Sequence, residues 1–306
     1  MKAKSILETL GATPIVEIST KLNQTAAHVF AKVEAFNPGG SAKDRVAVAM
    51  IEAAERAGKL RPGATLIEPT SGNTGVGLAL ASAVKGYRLI LVMPDTMSIE
   101  RRRLAAAYGA EVVLTPGAEG MKGCLAKAAE LNKAIPGSFI PQQFDNPANP
   151  AAHEATTGPE IWRDLEGQVD AFVAGVGTGG TLTGVGRFLR SKNPSVRLYA
   201  VEPDTSPLLS KGVAGPHRLQ GIGANFVPSI FDRSLPDEIL TVSAANAGAT
   251  ARALGAQEGI LCGITSGAAM WAALELAKRP AFVGKNIVAL LPDTGERYLS
   301  TWLFAE

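Results

Sequence analysis

Lys43 is the first residue of this sequence whose type and position could do chemistry. It lies in residues 37–45 (Asn-Pro-Gly-Gly-Ser-Ala-Lys-Asp-Arg), where a Pro-Gly-Gly turn precedes an amphipathic pattern. The pattern predicts a helix from about Lys43 to Arg56, with Ser41 as a candidate N-cap. Free backbone N–H groups and the helix dipole would disfavour the ammonium form of Lys43, and a free amine can attack carbonyls in Schiff-base chemistry. The alternative is a solvated surface lysine after a turn.

A second candidate is the carboxylate loop, which we define as residues 70–74 (Thr-Ser-Gly-Asn-Thr), followed by Gly75. It lies between a predicted strand and a predicted helix, where α/β sheets bind their ligands. Hydroxyls, an amide and a glycine at a helix N-terminus can hold an anionic group such as a carboxylate. The alternative is an ordinary capping turn, but these polar groups exceed what one cap needs.

A third candidate is the glycine loop, residues 175–181 (Gly-Val-Gly-Thr-Gly-Gly-Thr), which follows an apolar strand and opens a helix. Successive glycine N–H groups form an anion nest, for which a phosphate is the natural guest. Residues 175–180 also match G-x-G-x-x-G, and Glu202 follows at the distance expected in a dinucleotide site. An NAD-dependent oxidoreductase is therefore the alternative from another class. The additional threonine hydroxyls favour a single phosphomonoester, and a dinucleotide site leaves Lys43 unexplained.

Composition excludes several other classes of protein. The chain has 306 residues, 46% of them hydrophobic, a net charge of +2 and no long run of Lys and Arg, so we expect no nucleic-acid partner. Two cysteines cannot form a disulfide framework, and the three histidines have no metal-ligand spacing, so no metal is expected. No signal peptide or membrane span is evident, which predicts a cytoplasmic protein without membrane contact.

Strand and helix patterns alternate along most of the chain, as in βαβ units. The predicted fold class is α/β, with two open, mostly parallel twisted sheets flanked by helices. A Pro- and Asn-rich stretch at residues 140–150 suggests a domain boundary, and residues 203–236 form either a functional loop or irregular structure. A Gly/Ser turn at residues 263–269 opens another helix, and Ser266 in isolation is best interpreted as its N-cap.

Taken together, these motifs resemble those of the cysteine synthases (O-acetylserine sulfhydrylases), in the tryptophan-synthase-β-like family of pyridoxal-phosphate enzymes with fold type II. Residues 143–150 and 157–162 (Gln-Phe-Asp-Asn-Pro-Ala-Asn-Pro and Thr-Gly-Pro-Glu-Ile-Trp) are more similar to the A type. The resemblance implies a smaller domain of residues 1–12 and 35–145 and a larger one of residues 13–34 and 146–306. It also implies an active site in the cleft between them.

The resemblance assigns roles residue by residue. Lys43 would bind pyridoxal 5'-phosphate covalently and then move the α-proton of the substrate. Asn73 would bond the cofactor's ring hydroxyl, Ser266 would face its pyridine nitrogen, and its phosphate would be held by Gly177, Thr178, Gly179, Gly180 and Thr181. The substrate-binding residues would be Thr70, Ser71, Gly72, Thr74, Gln143 and Gly221.

The activity implied by the resemblance is β-replacement: O-acetyl-L-serine and sulfide would give L-cysteine and acetate by a ping-pong mechanism through an α-aminoacrylate. Cystathionine β-synthase, the thiosulfate-using B-type enzyme and β-cyanoalanine synthase remain alternatives. The family also implies a homodimer and a possible partner, the C-terminal peptide of serine acetyltransferase. The stretch 206–217 is shorter than is typical of the family, which puts that partner in doubt.

Overall fold

The computed structural model describes residues 2–70, 72–97 and 99–305, with Glu100 described by its backbone alone. Those residues fall into two compact units. Unit 1 comprises Met1–Leu10 and Asn37–Ala148, and unit 2 comprises Gly11–Phe36 and Asn149–Glu306.

Strands and helices alternate through most of the described chain. The strands are β1 (Ile15–Glu17), β2 (His28–Val33), β3 (Thr65–Pro69), β4 (Arg88–Pro94), β5 (Glu111–Thr115), β6 (Ala171–Gly175), β7 (Arg197–Pro203), β8 (Glu238–Val242) and β9 (Asn286–Leu291). The helices are α1 (Lys43–Arg56), α2 (Asn73–Lys85), α3 (Ile99–Ala107), α4 (Gly120–Ala134), α5 (Ala148–Ala152), α6 (Gly158–Asp164), α7 (Gly180–Lys192), α8 (Leu208–Lys211), α9 (Ala244–Glu258) and α10 (Ile264–Ala277). A π-helical turn, His153–Thr157, connects α5 to α6.

Each unit is built on its own sheet. In unit 1 the order is β3-β4-β5, and all pairs are parallel. In unit 2 the order is β1-β2-β9-β6-β7-β8, and only β1 pairs antiparallel among the described strands. The α/β class with mostly parallel sheets flanked by helices is therefore confirmed.

Buried side chains alternate between the two faces of each central strand. In β6, Ala171 and Val173 join the apolar cluster under α9 and α10, whereas Phe172 and Ala174 join the cluster under α6 and α7. A parallel sheet covered by helices on both faces needs apolar residues at successive positions, which explains the near-continuous apolar strands. The carboxyl ends of such strands are the usual places for ligand-binding loops.

Most predicted elements are confirmed, including a helix that begins at Lys43 and ends at Arg56. The sequence analysis missed β8, although its residues Glu-Ile-Leu-Thr-Val are rich in β-branched side chains. Within residues 203–236 the structure has one regular element after β7, the single-turn helix α8. In the part of the chain that the structure describes, no helix is long and apolar enough to cross a membrane.

Candidate functional site

Lys43 is the first residue of α1, and its own loop fixes it there. The Ser41 hydroxyl accepts the Lys43 backbone N–H at 3.2 Å. The N-cap position of α1 is Ala42, so Ser41 lies one residue before the position predicted for it. The buried Asp44 carboxylate accepts the Gly39 N–H at 2.7 Å and closes the turn. An added Cβ at Gly39 would lie 2.5 Å from Asp44 Oδ1, so the turn requires glycine there. The half-buried Lys43 side chain therefore begins at a locked backbone position.

The start of α2 lies beside the start of α1 because α2 has a glycine where the two helices meet. A Cβ on Gly77 would lie 2.8 Å from the Lys43 carbonyl oxygen and 3.0 Å from the Ala47 Cβ. Asn73 is the first residue of α2. Two helix N-termini, headed by Lys43 and Asn73, are thus neighbours in unit 1, and their dipoles both favour a negative ligand.

Gln143 joins the two ends of the carboxylate loop. The Thr74 hydroxyl donates to Gln143 Oε1 at 2.5 Å, and Gln143 Nε2 donates to the Thr70 hydroxyl at 3.5 Å. All three side chains are buried. Gly72 caps α2, and an added Cβ there would meet no atom within 4 Å. Ser71, also predicted to bind substrate, lies outside the described residues.

Glu68 lies two residues before Thr70 and is 1% exposed. Its Oε2 accepts the Gln142 N–H at 3.1 Å and its Oε1 accepts the Gln143 N–H at 3.3 Å. Burial raises the pKa of Glu68 to about 7, although the two N–H groups act to lower it. This carboxyl group was not among the predicted site residues, although a charged residue in the apolar run Thr-Leu-Ile-Glu-Pro was a signal for it.

The glycine loop connects β6 to α7 in unit 2. Gly179 has φ +79°, and a Cβ there would lie 2.5 Å from the Phe231 Cβ. A Cβ on Gly177 would overlap the Gly221 carbonyl oxygen, and a Cβ on Gly180 would overlap the Asn149 side chain. The backbone of Gly221 and the side chains of Phe231 and Asn149 are therefore packed too closely against this loop for any residue but glycine at these three positions.

Backbone donors of the glycine loop remain available to a ligand. Among the described residues, the N–H groups of Gly177, Thr178 and Gly179 donate to no protein acceptor. The Thr178 hydroxyl accepts from the Gly180 N–H at 3.3 Å and from Asn149 Nδ2 at 3.1 Å. Unsatisfied N–H groups at the start of a long helix form an anion site. Asn149, which the sequence analysis gave no role, braces this loop.

Thr181 is backed by a histidine from the π-helical turn. The Thr181 hydroxyl lies 3.2 Å from His153 Nε2, and His153 Nδ1 lies 2.9 Å from the Thr157 hydroxyl. His153 is fully buried. His153 therefore packs behind the glycine loop.

Ser266 and Gly221 lie near the glycine loop in the same unit. The Gly223 N–H donates to the Val176 carbonyl at 3.0 Å, which holds the 221–224 segment against the loop. A Cβ on Gly221 (φ +105°) would lie 3.1 Å from Thr265 Cγ2, next to Ser266. The structure therefore brings together, in unit 2, the predicted phosphate-binding loop, Gly221 and the start of α10.

The interpretation of Ser266 as an N-cap is wrong. Gly263 occupies the cap position of α10, and Ser266 is the third residue of the helix, with its buried hydroxyl donating to the Asp293 carbonyl at 3.5 Å. Cys262 lies nearby, and burial, reinforced by Asp293 and opposed by Ser266, raises the pKa of its thiol to about 12. Cys262 is thus a packed thiol rather than a nucleophile.

Glu202 is engaged in a way that weakens the dinucleotide alternative. Its carboxylate accepts the N–H groups of Leu209 at 2.7 Å and Ser210 at 3.0 Å, and the Ser210 hydroxyl at 2.5 Å. Those bonds hold the start of α8. These three bonds use most of the acceptor capacity of the carboxylate, which leaves little of it for a ribose hydroxyl.

No group of three or more His, Cys, Asp and Glu side chains in residues 2–70, 72–97 and 99–305 is arranged to hold a metal ion. The candidate residues offer hydroxyls, amides and a lysine in unit 1, and backbone N–H groups in unit 2. Such a set binds anions and carbonyl compounds.

Comparisons with known proteins agree with this donor set. Residues 6–293 match the model of a family described as pyridoxal-phosphate dependent enzyme. A cysteine synthase from Staphylococcus aureus is 53% identical over 302 residues, which are 98% of this chain and 97% of that protein. A solved cysteine synthase from Entamoeba histolytica is 44% identical with a TM-score of 0.97, covering 100% of this chain and 92% of that one. A solved O-ureido-L-serine synthase is 48% identical with a TM-score of 0.96, covering 99% and 96%.

Proposed function

This chain belongs to the family of pyridoxal-phosphate-dependent enzymes, and we propose that it makes L-cysteine and acetate from O-acetyl-L-serine and sulfide. The structural observation that carries the proposal is the pair of neighbouring helix starts, which present Lys43 and Asn73 beside the Thr70–Gln143–Thr74 cluster. The full-length similarity to cysteine synthases supports the same reaction.

The residues present fit pyridoxal phosphate. The glycine loop offers unsatisfied N–H groups, and its glycines are required by the packing behind them. Gly177, Thr178, Gly179, Gly180 and Thr181 would hold the phosphate, Lys43 would supply the amine, Asn73 would bond the ring hydroxyl and Ser266 would face the ring nitrogen. When bound, this cofactor supplies an aldehyde that condenses with amines and a ring that spreads negative charge from the substrate's α-carbon.

Substrate binding falls to the carboxylate loop. The carboxylate of O-acetyl-L-serine would accept N–H groups at the start of α2 and hydroxyl or amide protons of Thr70, Thr74 and Gln143. Gly72 leaves open space where the substrate backbone would approach. Ser71 would add a hydroxyl, and Gly221 would be a further contact of the substrate.

Lys43 would then act as a base and an acid. Its amine, set at a fixed backbone position, would take the proton from the substrate's α-carbon, after which acetate leaves from the β-carbon. Sulfide would add at that carbon, and the Lys43 ammonium would return the proton to the α-carbon. The two half-reactions predict ping-pong kinetics.

A neutral Ser266 hydroxyl would bond the ring nitrogen without the charge of a carboxylate. The ring would then hold less negative charge, which favours prompt loss of acetate over slower side reactions. Ser266→Asp should therefore shift product distribution toward those side reactions, as measured by mass spectrometry.

The decisive experiment incubates the cofactor-loaded protein with O-acetyl-L-serine and one acceptor at a time, and identifies products by mass spectrometry. Cysteine formed fastest from sulfide supports the proposal. Faster product formation with homocysteine or thiosulfate would assign the chain to cystathionine formation or to the B type. Hydroxyurea is also tested because a 48% identical protein is named O-ureido-L-serine synthase, and faster formation of O-ureido-L-serine than of cysteine would overturn the proposed acceptor.

The proposal also covers the oligomeric state and a protein partner. A homodimer in the cytoplasm is expected from the family, and gel filtration with light scattering tests it. The C-terminal peptide of serine acetyltransferase is a candidate ligand, whose binding is measured by calorimetry.

A further inference from the structure

Two strands, one in each unit, end in the same dipeptide. β3 ends in Glu68-Pro69, and β7 ends in Glu202-Pro203. Both glutamates are 1% exposed, and each accepts two consecutive backbone N–H groups from a segment further along the chain. Glu68 and Glu202 can therefore be compared directly by the segments that their buried carboxyl groups bind.

The two carboxyl groups bind different kinds of segment. The donors to Glu202 come seven and eight residues later and belong to the single-turn helix α8. The donors to Glu68 come 74 and 75 residues later, and they are the backbone groups of Gln142 and Gln143. Glu68 therefore anchors the backbone of the one glutamine whose side chain joins Thr70 to Thr74.

The anchored segment reaches Glu68 by running beside β3. Phe139 donates to the Thr65 carbonyl at 2.9 Å and accepts the Ile67 N–H at 2.9 Å, in a parallel bridge. Three residues later, Gln142 adopts φ +59°, a conformation that non-glycine residues rarely adopt. Because such a backbone is unfavourable, it persists only where surrounding bonds enforce it.

Bonds on both sides of Gln142 enforce its conformation. Its carbonyl accepts the N–H groups of Asp145 and Asn146, each at 3.0 Å, and its N–H is held by Glu68. Loss of the Glu68 acceptor would leave the N–H side of this turn without a partner. The following residue, Gln143, would then lose its fixed starting point.

We propose that Glu68 is a positioning residue for substrate binding: its two carboxyl oxygens fix the backbone of Gln142 and Gln143, so that the Gln143 amide is set against Thr70 and Thr74 to receive the substrate carboxylate. The inference rests on the proposed function only in identifying that ligand as an amino acid. A carboxyl group suits the task because it offers an acceptor oxygen to each of two N–H groups, whereas an amide offers one.

The first test compares Glu68→Gln with Glu202→Gln, the matched substitution at the other strand end. Initial rates are measured while O-acetyl-L-serine is varied at saturating sulfide, and then while sulfide is varied. Glu68→Gln should raise the KM for O-acetyl-L-serine about tenfold or more, with the KM for sulfide changed less than about twofold. Glu202→Gln should leave both within about twofold. Equal effects of the two variants on the KM for O-acetyl-L-serine would overturn the proposal.

The second test uses a double-mutant cycle to ask whether Glu68 acts through Gln143. Gln143→Ala should raise the same KM, and adding Glu68→Gln to it should raise it little further, because the group being positioned is already gone. If the two substitutions multiply in their effects on the KM for O-acetyl-L-serine, Glu68 acts independently of Gln143 and the proposal is contradicted.

The third test does not depend on catalysis. Hydrogen–deuterium exchange of the cofactor-loaded protein without substrate should become faster in peptides covering residues 139–146 of Glu68→Gln. Peptides covering residues 175–183 should keep their exchange rates, which excludes general unfolding. Unchanged exchange at residues 139–146 would overturn the proposal.

Failure of the proposed function gives a different result. If the wild-type protein forms no cysteine from O-acetyl-L-serine and sulfide, the proposed reaction is wrong, whereas the exchange test still decides whether Glu68 fixes residues 142 and 143. Binding of L-serine, measured by calorimetry, then replaces the KM: a weakening of about tenfold or more in Glu68→Gln supports the inference, and equal affinity refutes it.

Discussion

The candidate residues of the two units are built in opposite ways. Unit 1 presents side chains: the Lys43 amine and the buried hydroxyl–amide cluster of Thr70, Gln143 and Thr74. Unit 2 presents backbone: a glycine loop in which an added methyl group would overlap its neighbours. A side-chain site is damaged by removing atoms and a backbone site by adding them. The roles proposed above assign proton transfer to unit 1 and cofactor retention to unit 2, and we expect substitutions to affect these two functions independently.

The largest expected effect is the loss of the reactive amine. Lys43→Ala should lower kcat by about a thousandfold or more, because both proton transfers need this group. The variant should still bind pyridoxal phosphate through the unchanged glycine loop, as measured by fluorescence titration, and borohydride should no longer fix the cofactor to the protein. Normal turnover in this variant would refute the proposed role of Lys43.

The next effect concerns the pH dependence of stability, because unit 1 buries a titratable group within its cluster whereas residues 175–181 contain none. The pKa of Glu68 is raised from 4.5 to about 7 on folding. Folding therefore favours the protonated form of Glu68. The stabilising contribution of the protonated carboxyl group is full below pH 4.5 and is lost as the pH rises through 7. The loss amounts to about 3 kcal/mol at 1.36 kcal/mol per pKa unit.

Urea unfolding of the wild type and of Glu68→Gln between pH 4.5 and 8 measures this contribution. The free energy of unfolding of the wild type should fall by about 3 kcal/mol relative to the variant over that range. Other titrating groups cancel in the difference. Parallel curves for the two proteins would mean that Glu68 titrates alike in the folded and unfolded states.

A smaller effect should come from adding one methyl group to unit 2. Gly177→Ala should weaken pyridoxal phosphate binding by roughly tenfold to a hundredfold, since relieving the overlap with the Gly221 carbonyl must shift the loop at a cost of about 1–3 kcal/mol. Gly72→Ala is the matched control, because its added Cβ meets no atom within 4 Å. Similar cofactor affinities in both variants would contradict the tight backbone cradle.

The smallest effect is expected at Cys262. With its pKa raised to about 12, only about one thiol in ten thousand is ionised at pH 8. Iodoacetamide should therefore leave Cys262 of the folded protein unlabelled, whereas the urea-unfolded protein reacts at both cysteines. Rapid labelling of Cys262 in the folded protein, located by mass spectrometry, would show that unit 2 does hold an accessible nucleophile.

The sequence predicts local features of this molecule well. The helix that begins at Lys43 and the strand-to-helix turn of the glycine loop are both read from patterns of a few neighbouring residues. The turn at Ser266 was misread because Ser, Thr and Gly all suit a cap, and only the backbone path places the cap at Gly263. A strand such as β8 depends on its neighbour β7, so its pattern alone was a weak signal.

Long-range relations could not be predicted from local patterns. Glu68 bonds residues 74 positions away, and no spacing rule connects them. Glu202 matched the spacing of a ribose-binding acid, yet its oxygens hold the start of α8. In both cases the sequence shows a glutamate at the end of a strand. The N–H groups that it binds depend on which segments the fold brings next to that strand.

The strand order of unit 2 has a consequence for synthesis of the chain. β9, the last strand along the described residues, lies between β2 and β6 and pairs with both. Until residues 286–291 leave the ribosome, β1 and β2 have no sheet to join, and the edge of β6 stays exposed. The ordered sheet of unit 1 needs nothing beyond Ala148. Unit 1 can thus fold during translation while unit 2 waits for residues 286–291, and a chain terminated before residue 286 would expose unpaired strand edges to aggregation.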